Sequence, residues 1–383
     1  MEMHRAIFQP QQQEFVTVPD QRELPFHIER LGVVMDGDSS DPNESWGVLN
    51  PASARSRDGE LYLFPRVVAD KNLSRVGVAR VLFDGGGDPC GVERLGYALE
   101  PTESYERNPR TGGCEDPRIT FVRALDTYVM TYTAYGPLGP RIAMAISTDL
   151  MKWQRLGLVK FAMSQGTEFD FYHNKDAVVF PELLPDPQGR LSLVMIHRPD
   201  YNMSAPGHPS YPVLPDGITE TRPSMWISYS PVERRGKLRG LNFFHNHNLL
   251  ATPDAEWQAL KVGAGTPPVL TRHGWLLVFH GVSGQILEGV DLQPNVHYSA
   301  GAMILDRDDP RKILYRSSRP ILAPTTTGET QGLVNNVVFP TAVDERNGEC
   351  IDVYYGMADS RIGVGRLRVP EVLALQAQDE MVA

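Results

Sequence analysis

The chain has 383 residues, enough for one large domain or two ordinary ones, and its 41% hydrophobic and 22% charged residues belong to a globular protein rather than a disordered or fibrous one. A formal charge of −10 and a pI near 5.5 offer no basic face for nucleic acid or an anionic membrane, so any anion must be held locally. Three cysteines without metal-ligand spacing, and no apolar run approaching about 18 residues, argue against a disulfide framework, a metal site and a membrane span.

The N-terminal stretch MEMHRAIFQPQQQEF lacks the basic-then-apolar order of a secretory signal, so a cytoplasmic protein is expected. Residues 1–30 read as an arm. From Asn50 onward one plan recurs in five segments: NPASARSRDGELYLFPRV, EDPRITFVRALDTYVMTYTAY from Glu115, KDAVVFPELLPDPQGRLSLVMIHRP from Lys175, GTPPVLTRHGWLLVFHGV from Gly265, and NNVVFPTAVDERNGECIDVYYGMAD from Asn335. Each opens on a polar residue or Gly near Pro, runs through a β-rich stretch, turns at a charged or Gly-containing tip and returns as an apolar strand. A further strand-like run follows each hairpin: VGVARVLF from Val76, RIAMAIS from Arg141, SMWISYS from Ser224, YSAGAMIL from Tyr298 and IGVGRLRV from Ile362.

Three or more strands per unit make a blade, and five such units predict an all-β, five-bladed β-propeller over residues 31–370. A β-sandwich is the competing architecture, but it would leave long strand edges unprotected. The 34 glycines and 31 prolines fit the many turns, and FDGGGDP from Phe83 reads as one of them. Helical signal is confined to the arm and to the tail over 371–383. The Gly- and Pro-rich stretches from Tyr201 and from Ser283 read as lids over a central mouth.

In a propeller the innermost strands meet at the axis, so equivalent positions of the repeats face one another. The opening positions hold Asn50, Asp116 behind Glu115, Lys175 with Asp176, and Asn336; the far ends of the second strands hold Arg66, Tyr135, His197 with Arg198, His280 and Asp359. Packing alone would have made these apolar, because an unpaired buried polar group costs several kcal/mol. A ring of Asn, Asp, Arg, Lys, His and Tyr suits a sugar, whose hydroxyls both donate and accept. Blander readings stand beside this one. Asp116 could cap a turn and pair with Arg118, Arg66 and Asp359 could form an ion pair between blades, and the asparagines could be turn residues. Trp153 and Trp226 read as packing between blades rather than sugar platforms.

At these residues the chain resembles glycoside hydrolase family 130, the β-mannoside phosphorylases and related β-mannosidases, over about residues 30–370. The resemblance rests on GCEDPRIT from Gly113, YTAYGPLGPRIAMAISTDLMKW from Tyr132, NKDAVVFPE from Asn174, GAGTPPVLTRHGWLLVFHGV from Gly263, and NNVVFPTA with YYGMADSRIGVG. It implies the propeller, Asp116 as general acid, and Asn50, Arg66 and Asp359 around a mannosyl ring; the repeat positions themselves add Glu115, Tyr135, Asp176 and Asn336 as substrate-binding candidates. It also implies a phosphate site at Lys175, Arg198 and His280, with Tyr298 and Arg141 assisting.

Cleavage of a glycosidic bond needs a proton on the leaving oxygen and a nucleophile at the anomeric carbon. Phosphate is already anionic and needs only positioning by charge-assisted hydrogen bonds, so one carboxylate suffices. The reading is inverting phosphorolysis of a β-mannoside, with β-1,2 linkage preferred, giving α-mannose 1-phosphate. The partners are then the mannoside and inorganic phosphate as co-substrate, with no metal, cofactor, nucleic acid or membrane, and a homo-oligomer is left open. Two other readings survive: a hydrolase in which Glu288 or Asp291 activates water, and a carbohydrate-binding propeller without turnover. Burial and Glu115 would raise the pKa of Asp116 and Arg118 would lower it, so the sign is open at this stage.

Overall fold

The computed structural model describes residues 24–108, 111–164, 166, 168–201, 214–232, 238, 240–287 and 293–374. The proposed bases Glu288 and Asp291, most of the Tyr201 insertion and most of the tail lie outside these residues.

The first strand, β1 (Ile28–Asp36), belongs to the last blade. Blade I follows with β2 (Gly47–Arg55), β3 (Leu61–Ala69), β4 (Leu73–Phe83) and β5 (Pro89–Leu99). Blade II has β6 (Gly112–Val122), β7 (Thr127–Gly136), β8 (Gly139–Ser147) and β9 (Gln154–Leu158). After the short β10 (Lys160–Phe161), blade III is formed by β11 (His173–Val179), β12 (Leu184–Pro185), β13 (Leu191–Asp200), β14 (Met225–Pro231) and β15 (Phe243–Ala251). Blade IV comprises β16 (Lys261–Ala264), β17 (Val269–Thr271), β18 (Gly274–Gly284), β19 (Val296–Leu305) and β20 (Ile313–Arg316). A one-turn helix, α1 (Thr327–Thr330), leads to blade V: β21 (Val338–Asn347), β22 (Cys350–Met357) and β23 (Arg361–Arg368), with β1 pairing antiparallel to β23 as the outermost strand.

The ring is a five-bladed propeller closed by its own N-terminal strand. The third strand of every hairpin unit stands where the sequence placed it, as β4, β8, β14, β19 and β23. Five hydrophobic clusters fill the five seams: Phe64 and Met130 between blades I and II, Phe244 and Met144 between II and III, Phe279 and Ile227 between III and IV, Val278 and Tyr355 between IV and V, and Val48 and Ile362 between V and I. Both faces of β8 are therefore buried, and Ile142–Ile146 reads as a continuous apolar run rather than an alternation. Trp226 is buried in the II–III seam and Trp153 packs against the I–II seam, as the packing reading required.

Neighbouring blades are laced together by side chains. Thr131 Oγ1 donates to the Ala177 carbonyl at 2.6 Å and Thr341 Oγ1 to the Pro51 carbonyl at 2.6 Å. The buried Arg118 crosses the axis, its Nε donating to the Gly265 carbonyl at 2.6 Å. Among the described residues no helix is long and apolar enough to cross a membrane.

Candidate active site

Three inner strands share one irregularity. Between Leu49 and Ala52, Glu115 and Arg118, and Lys175 and Val178, the register slips by one residue, and the residue opening each bulge has left-handed backbone: Asn50 (φ 44°), Asp116 (φ 46°) and Asp176 (φ 56°). Asn and Asp tolerate this conformation better than other side-chain-bearing residues, which explains the Asx-Pro or Asx-Ala pair in mid-strand. The bulge re-aims these side chains into a cavity of about 210 Å³ lined by Asn50, Arg66, Asp116, Lys175, Asp176, Arg198, Lys261, His280, Tyr298, Phe339 and Asp359, among others. Arg66, Lys175, Val334 and Asp359 also line a larger outer cavity of about 600 Å³, bounded further by Trp46, Lys71, Asn72, Thr111, Glu115 and Tyr135.

At one end of the inner cavity, Asp116 Oδ1 accepts from Asn50 Nδ2 at 2.9 Å and from Arg66 Nη1 at 3.2 Å. Arg66 also donates to Glu115 at 2.9 Å, Asn72 at 2.8 Å and Ser74 at 2.9 Å, which fixes its guanidinium in place. Arg118 gives its Nη1 to the backbone carbonyl of Asp116 at 2.9 Å, so it shapes the bulge and does not pair with the carboxylate. Burial opposes ionisation of Asp116, yet Arg66, Lys175 and Arg118 outweigh it and hold the carboxyl below the usual range. Asp116 is thus ionised at neutral pH. Asp359 behaves oppositely: burial, reinforced by the charges of Asp116 and Glu115 and opposed by Arg66 and Lys175, pushes its pKa up to about 6.

The other end is cationic. Arg198 Nε donates to Asp176 Oδ2 at 2.6 Å, and His280 Nε2 stands 3.4 Å from the same oxygen. This commits Asp176 to orienting its neighbours. A Cβ on Gly263 would meet Asp176 Oδ2 and His280 Cε1 at 2.6 Å, so this glycine makes room for the cluster. Burial drives the His280 pKa down to about 3, with Arg198 and Lys261 adding to the shift and Asp176 opposing it; the ring acts as a neutral hydrogen-bonding group, not a cation. His280 stacks with Tyr298 at 6.1 Å, and both rings stand edge-on to Phe339. Lys175 Nζ lies 3.7 Å from Glu115.

Lys261, which the sequence reading did not select, lines the same end with its Nζ 5.4 Å from the Tyr298 ring centroid, and it has no carboxylate within ion-pair distance among the described residues. Lys261 and Trp46 each stand four residues before the start of a repeat segment, at Gly265 and Asn50; extending every segment upstream would have found both.

Two selected residues are not brought to the pocket. Arg141, at the start of β8, donates to the Pro140 carbonyl at 3.0 Å and lines neither cavity. Asn336 also lines neither, and its carbonyl accepts from the Tyr298 amide at 3.0 Å. In blade V the inner-strand bulge falls between Pro340 and Ala342, so Phe339 rather than Asn336 reaches the cavity. Arg66 does form an ion pair between blades, but with Glu115 and Asp116 of blade II rather than with Asp359. No group of three or more His, Cys, Asp and Glu placed to hold a metal occurs among the described residues.

The profile of glycoside hydrolase family 130, described as beta-1,4-mannooligosaccharide phosphorylase, matches residues 27–378. The 1,2-beta-oligomannan phosphorylase of Thermoanaerobacter sp. (strain X514) is 30% identical over 295 residues, 73% of this chain and 80% of the relative. The beta-1,2-mannobiose phosphorylase of the same organism is 32% identical over 295 residues, 73% of this chain and 79% of that one. In structure, the beta-1,2-mannobiose phosphorylase from Listeria innocua, solved with beta-1,2-mannobiose, has the same fold: TM-score 0.66 at 23% identity, covering 91% of this chain and 98% of that one.

Proposed function

The chain belongs to glycoside hydrolase family 130, the mannoside phosphorylases, and from that premise we propose that it cleaves a β-1,2-linked mannoside with inorganic phosphate, inverting the anomeric centre to give α-mannose 1-phosphate. The observation that carries this reading is one cavity of about 210 Å³ whose lining brings Asp116 together with Arg198 and Lys261, with Lys175, 3.7 Å from Glu115, shared with the outer cavity. The β-1,2 linkage is the one named for the two relatives above, whereas the family description and a further relative at 31% identity name β-1,4, so β-1,4-mannobiose is the comparison substrate.

The terminal mannosyl ring would lie between Asn50, Arg66 and Asp359, with the rest of the substrate in the outer cavity. Phosphate would enter against Lys175, Arg198 and Lys261, with neutral His280 and Tyr298 hydrogen-bonding its remaining oxygens. Its negative charge offsets the cations that keep Asp116 ionised, so the pKa of Asp116 rises when phosphate is bound. Asp116 then supplies a proton toward the glycosidic oxygen, directly or through a sugar hydroxyl. A phosphate oxygen forms the new bond to the anomeric carbon as the bond to the leaving oxygen breaks. Asp116 takes up its proton from solvent as phosphate binds, and the proton carried in by hydrogen phosphate leaves the sugar phosphate for solvent, so mannoside plus hydrogen phosphate gives the mannose 1-phosphate dianion plus the free acceptor with no net proton change.

A hydrolase would need a free carboxylate on the cationic side to activate water. Among the described residues the carboxylate there is Asp176, already bound to Arg198 at 2.6 Å, while Glu288 and Asp291, the bases of the hydrolase reading, lie outside them. The test is whether turnover of β-1,2-mannobiose requires inorganic phosphate.

A further inference from the structure

The segment between β20 and β21 forms a strap over the sugar end of the cavity. Leu333 lines the outer cavity and Val334 lines both. The strap also holds the turn that aims Asp359. The Val334 amide donates to the Ala358 carbonyl at 3.3 Å, and the Ala358 amide donates to the Val337 carbonyl at 3.0 Å. Ala358 (φ 46°) and Asp359 (φ 52°) are both left-handed, a conformation that needs such external support.

The strap in turn hangs on one buried carboxylate. Glu329, 0% exposed on α1, accepts from Arg30 Nε at 2.8 Å, Arg30 Nη2 at 3.1 Å, the Thr325 amide at 2.9 Å, the Thr326 amide at 3.0 Å and the Tyr355 hydroxyl at 3.2 Å. Its own carbonyl accepts from the Val337 amide at 3.0 Å. Arg30 is part of β1, the strand that closes the ring, and its Nη2 also donates to the Ala323 carbonyl at 2.7 Å. None of Arg30, Glu329 and Tyr355 lines either cavity.

We infer that Glu329 is a positioning residue for the mannoside: the Arg30–Glu329–Tyr355 tie fixes the strap and, through Ala358, the orientation of Asp359 at the sugar end. Closure of the propeller by β1 is thereby coupled to sugar binding. Of the proposed phosphate ligands only Tyr298 touches the strap, and through its backbone, its amide donating to the Asn336 carbonyl at 3.0 Å; Lys175, Arg198 and Lys261 stand on blades III and IV, so phosphate binding should be affected less than sugar binding.

The inference rests on the phosphorylase reading for its kinetic consequence, so the experiment has two readouts on the full chain. Glu329→Gln, Arg30→Gln and Arg30→Lys are compared with the natural protein in KM for β-1,2-mannobiose, KM for inorganic phosphate, and amide hydrogen exchange at Val334 and Ala358. Glu329→Gln and Arg30→Gln should raise the mannobiose KM about tenfold while the phosphate KM changes by no more than about threefold, with Arg30→Lys largely restoring the natural value. Exchange at Val334 and Ala358 should accelerate in both Gln variants. Unchanged exchange, or a lower Tm with both KM values unmoved or raised in parallel, overturns the inference. Should Glu329→Gln fail to fold, the Arg30 pair decides alone. If the natural protein shows no phosphate-dependent turnover, it is the functional reading that fails, and amide exchange still decides whether the tie orders the strap.

Discussion

Arg66 Nη1 stands 3.2 Å from Asp116 Oδ1, while the Nη2 of the same guanidinium donates to Glu115 at 2.9 Å. One fixed cation thus bridges the two carboxylates of the β6 bulge and keeps the proposed acid ionised until phosphate offsets its charge. Replacing Asp116 by Asn keeps the shape of the site and removes the proton. The variant should fold with an unchanged circular dichroism spectrum and lose about 10²- to 10⁴-fold in kcat, the usual contribution of general acid catalysis. Turnover within a few fold of the natural protein would place the acid on another residue.

The cationic end makes a separate prediction. Truncating Arg198 or Lys261 to Ala removes a charge-assisted hydrogen bond worth about 1.5–3 kcal/mol, equivalent to roughly 10- to 100-fold in phosphate KM. Mannoside KM should change much less. Initial-rate kinetics with each substrate varied in turn separate the two, and a phosphate KM unmoved in both variants would remove these residues from the phosphate site.

Asp359, with its pKa pushed up to about 6, links function to stability. Below about pH 4 it is protonated both folded and unfolded, and carries no penalty. As pH rises to 6 the unfolded chain ionises it and the folded chain resists, so stability is lost across that window and the loss is complete above it. Asp359→Asn should therefore raise stability at pH 7, on the order of 2 kcal/mol, in denaturant titrations. Activity should fall if, as proposed, the ionised carboxylate accepts hydrogen bonds from the sugar. In the natural protein kcat/KM for mannobiose should climb through a pKa near 6 that is missing from the Asn variant; an unaltered profile would contradict the assignment.

His280 is held neutral, its pKa driven down to about 3. Its ring resonances in an NMR titration between about pH 5 and 8 should show no protonation step, and His280→Gln should keep more activity than His280→Ala because Gln still offers a donor. A step near 6.5 would mean that the burial and neighbouring cations counted here do not act on the ring.

Much of this architecture could be read from the sequence because it repeats. Asn50, Asp116 and Asp176 stood out as polar residues beside Pro or Ala in otherwise apolar strands, and one physical device, a left-handed bulge, explains all three. The pattern misled at Asn336, where two adjacent asparagines resemble the motif but the bulge comes later, at Pro340–Ala342. Arg141 misled because a polar residue at a strand end looks the same whether or not it lines a cavity. Lys261 escaped because β16 has only four residues, too short to show a period. The outermost strands were hardest to see: β5 is exposed along most of its length, and β1 finds its partner β23 at the opposite end of the chain, a pairing no local pattern encodes.

The central claim is tested most directly by following β-1,2-mannobiose with the purified chain by ³¹P NMR and sugar analysis, with and without inorganic phosphate. The account predicts α-mannose 1-phosphate and mannose in equal amounts when phosphate is present, and negligible cleavage when it is absent. Free mannose released at the same rate in both conditions, with no sugar phosphate, would contradict it.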